Sequence, residues 1–96
     1  MISIPILTGT KSKLSFLGQN EKNEMLLLFS GPKSVVERMA TVIKTRYQYV
    51  GEVETLHIGN RSAIFFRLER ATTLENPTKE FPQLAKSIAV LYSASL

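Results

Sequence analysis

The chain has no cysteine and no aspartate, and its one histidine is His57. Without thiols there is no disulfide framework, thiolate metal site, iron–sulfur cluster or cysteine nucleophile. Eight glutamates are the only side-chain carboxylates, so a histidine-rich metal centre or a Ser-His-Asp triad cannot be assembled within one chain. Long apolar runs are missing too: the longest, Met25 to Phe29, is far below the roughly 20 residues that cross a bilayer. The opening MISIPILTGTKSK has no basic region ahead of its apolar stretch, so no targeting segment is read there. The expectation is a soluble, cytoplasmic protein that is not an enzyme and uses no cofactor, metal, membrane or small-molecule substrate.

What is present suits a single domain over residues 1–96. Apolar residues make up 44% and charged residues 21%, ordinary globular usage that argues against disorder, and no internal repeat is found. A chain of this length can bury one core without covalent staples. The net charge of +4 is unevenly spread: residues 1–50 hold seven Lys or Arg against three Glu, and residues 51–96 hold five against five. A basic first half attracts acidic partners and phosphates, although a charge of this size also serves solubility.

The first 30 residues read as strands. ISIPIL carries Pro5, which suits an edge because proline cannot donate into a ladder. KLSFLG at 13–18 alternates, a polar GQNEKNE stretch turns the chain, and EMLLLFS at 24–30 follows as a hairpin partner. Because MLLLF is apolar without alternation, it is expected to be central and covered on both faces. A helix is predicted over 32–47: Ser30 and Gly31 offer capping geometry, Pro32 suits a first turn, and Val36, Met39, Ala40, Ile43 and Tyr47 recur at helical spacing, widened by Val35 and Val42.

The stretch GEVETLHIGNRSAIFFRLER, residues 51–70, alternates around Gly59-Asn60 as a hairpin with a two-residue loop. Ile58 then opposes Arg61, and Val53, Thr55, His57, Ile64, Phe66 and Leu68 share the core face. The other face carries Glu52 opposite Arg67, Glu54 opposite Phe65, and Leu56 beside Ala63. This apolar patch with a charged rim can lie under the N-terminal strands or under a partner, and the sequence leaves both open. After a turn-rich connection, ATTLENPTKEFP, the segment 84–94 has helical spacing at Leu84, Ala85, Ile88, Ala89 and Tyr92, with a final strand as the alternative.

The expected fold class is α+β: a small antiparallel sheet with one or two helices on one face, in the ferredoxin-like, split-βαβ manner and β-β-α-β-β-α order. Part of the hairpin resembles the RNA-recognition motif. Arg61, Phe65 and Phe66 stand where the RNP1 pattern of that family places a basic residue, a base-stacking aromatic and a buried apolar residue, and GEVETLHIG is similar to the strand before it. The resemblance spans about a fifth of the chain and implies an RNA-facing platform on that side of the hairpin. Ser62 replaces the glycine of the pattern, Ala63 the first stacking aromatic and Leu68 the last, while Glu52 and Glu54 share the face. Carboxylates close to phosphates weaken RNA binding, so the similarity is read as one of fold.

Two surfaces follow as candidates. The first is a protein interface made by Leu56, Ile58, Phe65, Arg67, Glu52 and Arg61, for another protein or a second copy of this chain. The alternative is a nucleic-acid contact through Lys11, Lys13, Lys33, Arg38, Lys44 and Arg46, which would bind weakly and with strong salt dependence. His57 and Ser62 oppose each other near the turn, but no carboxylate on their face could orient the imidazole as a base. FSGPKS has neither the glycine repeat nor the ending of a phosphate-binding loop.

Overall fold

Seven elements form in the computed structural model, which describes residues 1–96. They are β1 (Ile2–Ile6), β2 (Ser12–Gln19), β3 (Met25–Pro32), α1 (Lys33–Arg46), β4 (Tyr49–Ile58), β5 (Arg61–Leu68) and α2 (Pro77–Ala94). The strands make one sheet in the order β1-β2-β3-β5-β4, with every neighbouring pair antiparallel. Three strands precede α1 where two were expected, so the order is β-β-β-α-β-β-α and the ferredoxin-like β-β-α-β-β-α order is not the one observed. β1, with Pro5 opposite Lys13, is an edge strand as the proline required.

Both helices pack on one face. α1 lies against β3, β4 and β5, whereas α2 lies against β1 and α1. Val36, Met39, Val42 and Ile43 of α1 and Phe81, Ala85, Ile88 and Tyr92 of α2 join Leu14, Phe16, Leu27, Phe29, Ile64 and Phe66 of the strands in one buried cluster. The rings of Phe16 and Phe81 meet at 5.6 Å between centroids, tilted by 38°. One contiguous apolar cluster is what a chain of this length can bury.

β3 is central, as its composition implied, but it is not covered on both faces. Met25, Leu27 and Phe29 are buried under the helices while Leu26, Leu28 and Ser30, pointing the other way, are only half-buried. An apolar run permits two-sided coverage without enforcing it, and here no second layer exists.

α2 starts at Pro77, so the second half of the supposed connection is helical and Pro82 stands inside the helix. A reciprocal cap explains the early start. The Asn76 carbonyl accepts the N–H groups of Lys79 and Glu80, and the Glu80 carboxylate accepts the Asn76 N–H at 3.0 Å. Pro77 at the first position costs no hydrogen bond there, and Phe81 adds a buried ring that Pro82's missing donor does not outweigh.

The hairpin turns through Gly59 and Asn60 as expected. Of the two only Gly59 has a positive φ, +61°, which is the type II′ pattern with glycine at the first central position. Ile58, Leu56 and Glu54 oppose Arg61, Ala63 and Phe65, as the alternation requires. Beyond Glu54 the register shifts, and Val50, not Glu52, opposes Arg67. Gly51 marks this bulge with φ +68°, and a Cβ there would collide with the Arg67 guanidinium. The extra residues bend β4 and put Glu52 in the bulge, so the expected Glu52–Arg67 pairing does not form.

Candidate functional site: the open face of the sheet

The period-two geometry of the strands fixes which side chains stand opposite the helices. Across the sheet they form rows. Ser3, Ser15, Leu28, Phe65 and Glu54 make one row, and Pro5, Lys13, Ser30, Ala63 and Leu56 the next. Leu26 and Arg67 continue toward one end, while Pro32, Arg61 and Ile58 continue toward the hairpin end. No element of the chain covers this surface: β1 and β2 extend the sheet sideways instead of folding over Phe65. Leu56 and Ile58 are 62% and 78% exposed, and Leu26, Leu28, Ala63 and Phe65 are half-buried by their neighbours.

Charge is distributed unequally along the face. Arg67 donates to Glu24 Oε1 at 3.3 Å, and the same oxygen accepts the Asn20 amide at 2.6 Å. Glu24 is nearly buried, so this ion pair also holds the start of β3 to β5. Nothing in the NEKNE sequence marks Glu24 as Arg67's partner, because the pairing depends on β3 and β5 being neighbours. At the hairpin end Arg61 donates from Nη2 to the Lys11 carbonyl at 3.0 Å and has no carboxylate partner. A depression of about 320 Å³ opens beside it, lined by Ser30, Leu56, Ile58, Arg61, Ser62 and Ala63.

The predicted interface residues Leu56, Ile58, Phe65, Arg67 and Arg61 thus share this face, and Glu52 sits apart in the bulge. The six basic residues divide between two layers. Lys33, Arg38, Lys44 and Arg46 belong to α1, Lys13 lies on the open face, and Lys11 is in the β1–β2 connection. Arg38 is tied to the Ser95 carbonyl at 3.1 Å and, with Arg46, borders a second open depression of about 470 Å³ on the outside of α1. Tyr47, after α1, packs against the core, and its burial pushes the phenol pKa above the ordinary value.

His57 Nδ1 and Ser62 Oγ are 2.5 Å apart. The imidazole has no hydrogen bond to a carboxylate, so the orienting partner of a catalytic base is missing. No group of three His, Cys, Asp or Glu side chains is placed to hold a metal ion. We predict that His57→Ala leaves binding affinity unchanged, as measured by titration with whichever partner is identified. Loss of affinity in a variant with a wild-type melting temperature would reverse this assignment.

No helix is long and apolar enough to cross a membrane. Comparison with protein-family models, with curated proteins and with solved structures finds no match to this chain.

Proposed function

We propose that the protein is a non-enzymatic interaction module, an accessory, adaptor or inhibitory subunit whose working surface is the open face of the sheet and whose partner is a protein. One observation carries this reading: both helices occupy the same face, leaving Leu26, Leu28, Phe65, Leu56 and Ile58 as a contiguous apolar patch across three strands. Apolar area removed from water contributes about 25 cal/mol per Å², so a patch left uncovered within the chain is a reservoir of association free energy. The lack of thiols, of aspartate and of an oriented histidine favours binding over catalysis.

β3 and β4 flank β5 and are joined through α1, which supports reading the second half as a split βαβ unit. β2 then takes the place beside β3 that a last strand would fill in a ferredoxin-like sheet.

A nucleic-acid reading has one observation in its favour. Phe65 lies on an open sheet face with Lys13 and Arg61 one or two rows away, as a base-stacking platform would require. Glu54, directly beside Phe65, opposes it. Affinity measured across salt concentrations separates the two readings: phosphate neutralisation gives a steep logarithmic slope and an apolar interface a shallow one.

The decisive variant is Phe65→Ala. Anchor aromatics at interfaces lose about 2 kcal/mol or more when truncated, so affinity should fall by roughly 30-fold. The melting temperature should move little, because the ring is only half-buried in the free protein. A large fall in melting temperature with affinity per folded molecule unchanged would reject the open face as the working surface.

A further inference from the structure

We infer that the hairpin end of the open face is a carboxylate-recognition subsite, built for a partner segment in which a Glu or Asp side chain adjoins an aliphatic one. The inference rests on the interaction reading above and names the chemistry of the partner. The depression beside Arg61 has an aliphatic side, formed by Leu56, Ile58 and Ala63, and a polar side, formed by Arg61 and Ser30. An aliphatic side chain fills the first while a neighbouring carboxylate meets the second.

Arg61 is suited to that role because its guanidinium is held in place and left unpaired. The two ion pairs of the protein are Arg67–Glu24 and Arg70–Glu80; Arg61 instead spends one donor on the Lys11 carbonyl. A guanidinium has five donors in a planar fork, and a carboxylate can accept two of them together. Fixing the side chain beforehand lowers the entropy lost on binding.

The support for Arg61 is itself conformationally costly. Lys11 and Leu7 adopt φ of +57° and +60°, a left-handed region that costs a residue with a Cβ about 1–2 kcal/mol. Thr10 holds this connection: its Oγ1 donates to the Leu7 carbonyl at 2.6 Å and lies 2.7 Å from Ser12 Oγ, whose own hydroxyl can donate to it. Strain in two residues around the group that anchors an unpaired arginine points to a function for that arginine. The neighbouring turn is also tied down: the Asn60 carbonyl accepts the Lys33 N–H.

Charge selects a carboxylate-bearing peptide over a nucleic acid. Lys11, Lys13 and Arg61 gather at this end of the face without a glutamate, but the next row holds Leu28, Phe65 and Glu54. A phosphodiester backbone needs cations along its track, and this track ends in apolar side chains and a carboxylate. A single acidic side chain followed by an aliphatic one meets no such obstacle.

Isotope-labelled protein titrated with a short capped peptide, carrying one Leu between two Glu in a Gly-Ser background, tests the inference by amide chemical-shift mapping. Saturable shifts are expected at Ser30, Leu56, Ile58 and Arg61 to Ala63. The Gln-for-Glu peptide should bind at least about tenfold more weakly, the loss of one charge-assisted contact. Arg61→Gln and Ile58→Ser, both at exposed positions, should weaken binding similarly, and Lys44→Gln on α1 should not. Absence of saturable shifts, equal binding of the Gln peptide, or stronger shifts of the same amides by oligothymidylate would each overturn the inference. The subsite and the wider reading fail separately. If Phe65→Ala weakens association with the partner while Arg61→Gln changes neither that association nor the peptide shifts, the open face is the interface and the subsite is not.

Discussion

Phe66→Ala is expected to lower the melting temperature by more than about 10 °C, and to leave a minority of molecules unfolded even at room temperature in mild denaturant. Phe66 is fully buried, pairs with Leu27 across β3 and β5, and belongs to the cluster under both helices. Truncating such a ring removes its transfer free energy and leaves a cavity, about 3–5 kcal/mol together. The whole stability of a domain this size is about 5–15 kcal/mol. A thermal scan and a urea titration check the value, and an unchanged midpoint would mean that Phe66 does not face the core. The neighbouring Phe65 supplies the contrast. Alternation sends one ring under the helices and the next to the open face, so two adjacent truncations should separate stability from association.

Ile43→Ala should cost about 2–5 kcal/mol. Ile43 is fully buried on the stripe of α1 that also carries Val36, Met39 and Val42, and α1 is the helix that meets three of the five strands. Loss of its packing weakens the element that holds β3, β5 and β4 under one layer. Thr41→Ala, two residues earlier on the exposed side, serves as the control and should stay within about 0.5 kcal/mol. Urea midpoints for the pair test the helix orientation: equal midpoints would mean the wrong face was assigned. In the Ile43 variant the affinity of the folded fraction should be unchanged, since α1 lies on the opposite side of the sheet from Phe65.

These outcomes bear on how a thin fold divides its labour. The helix-side face holds the structure together through continuous apolar packing, and the opposite face is free to carry the apolar and charged groups that a partner would read. The variant positions of the proposed subsite, Ile58 and Arg61, are exposed, so their substitution should cost little stability. That separation makes binding and folding measurable as independent quantities on the same chain.

Local pattern in the sequence determined the elements. Period-two alternation around Gly59-Asn60 set the hairpin, its turn and the pairing of Glu54, Leu56 and Ile58 with Phe65, Ala63 and Arg61. Period-3.6 spacing set α1 and its buried stripe, and Pro5 marked an edge. These signals are legible because they arise between residues close in the chain, where backbone geometry alone fixes which side chains share a face. Tertiary structure decided the rest. Whether the N-terminal strands cover Phe65 or extend the sheet depends on which edges pair, and the backbone hydrogen bonds that settle this carry almost no sequence code. The same holds for Arg67, whose partner proved to be Glu24, 43 positions away, and not Glu52. A bulge at Gly51 displaced Glu52, and the adjacency of β3 and β5 supplied Glu24. The free Arg61 depends in turn on the β1–β2 connection, whose left-handed Lys11 no pattern announces. A site assembled from four separate strands and loops is written in the order of the sheet, which the chain acquires only when it folds.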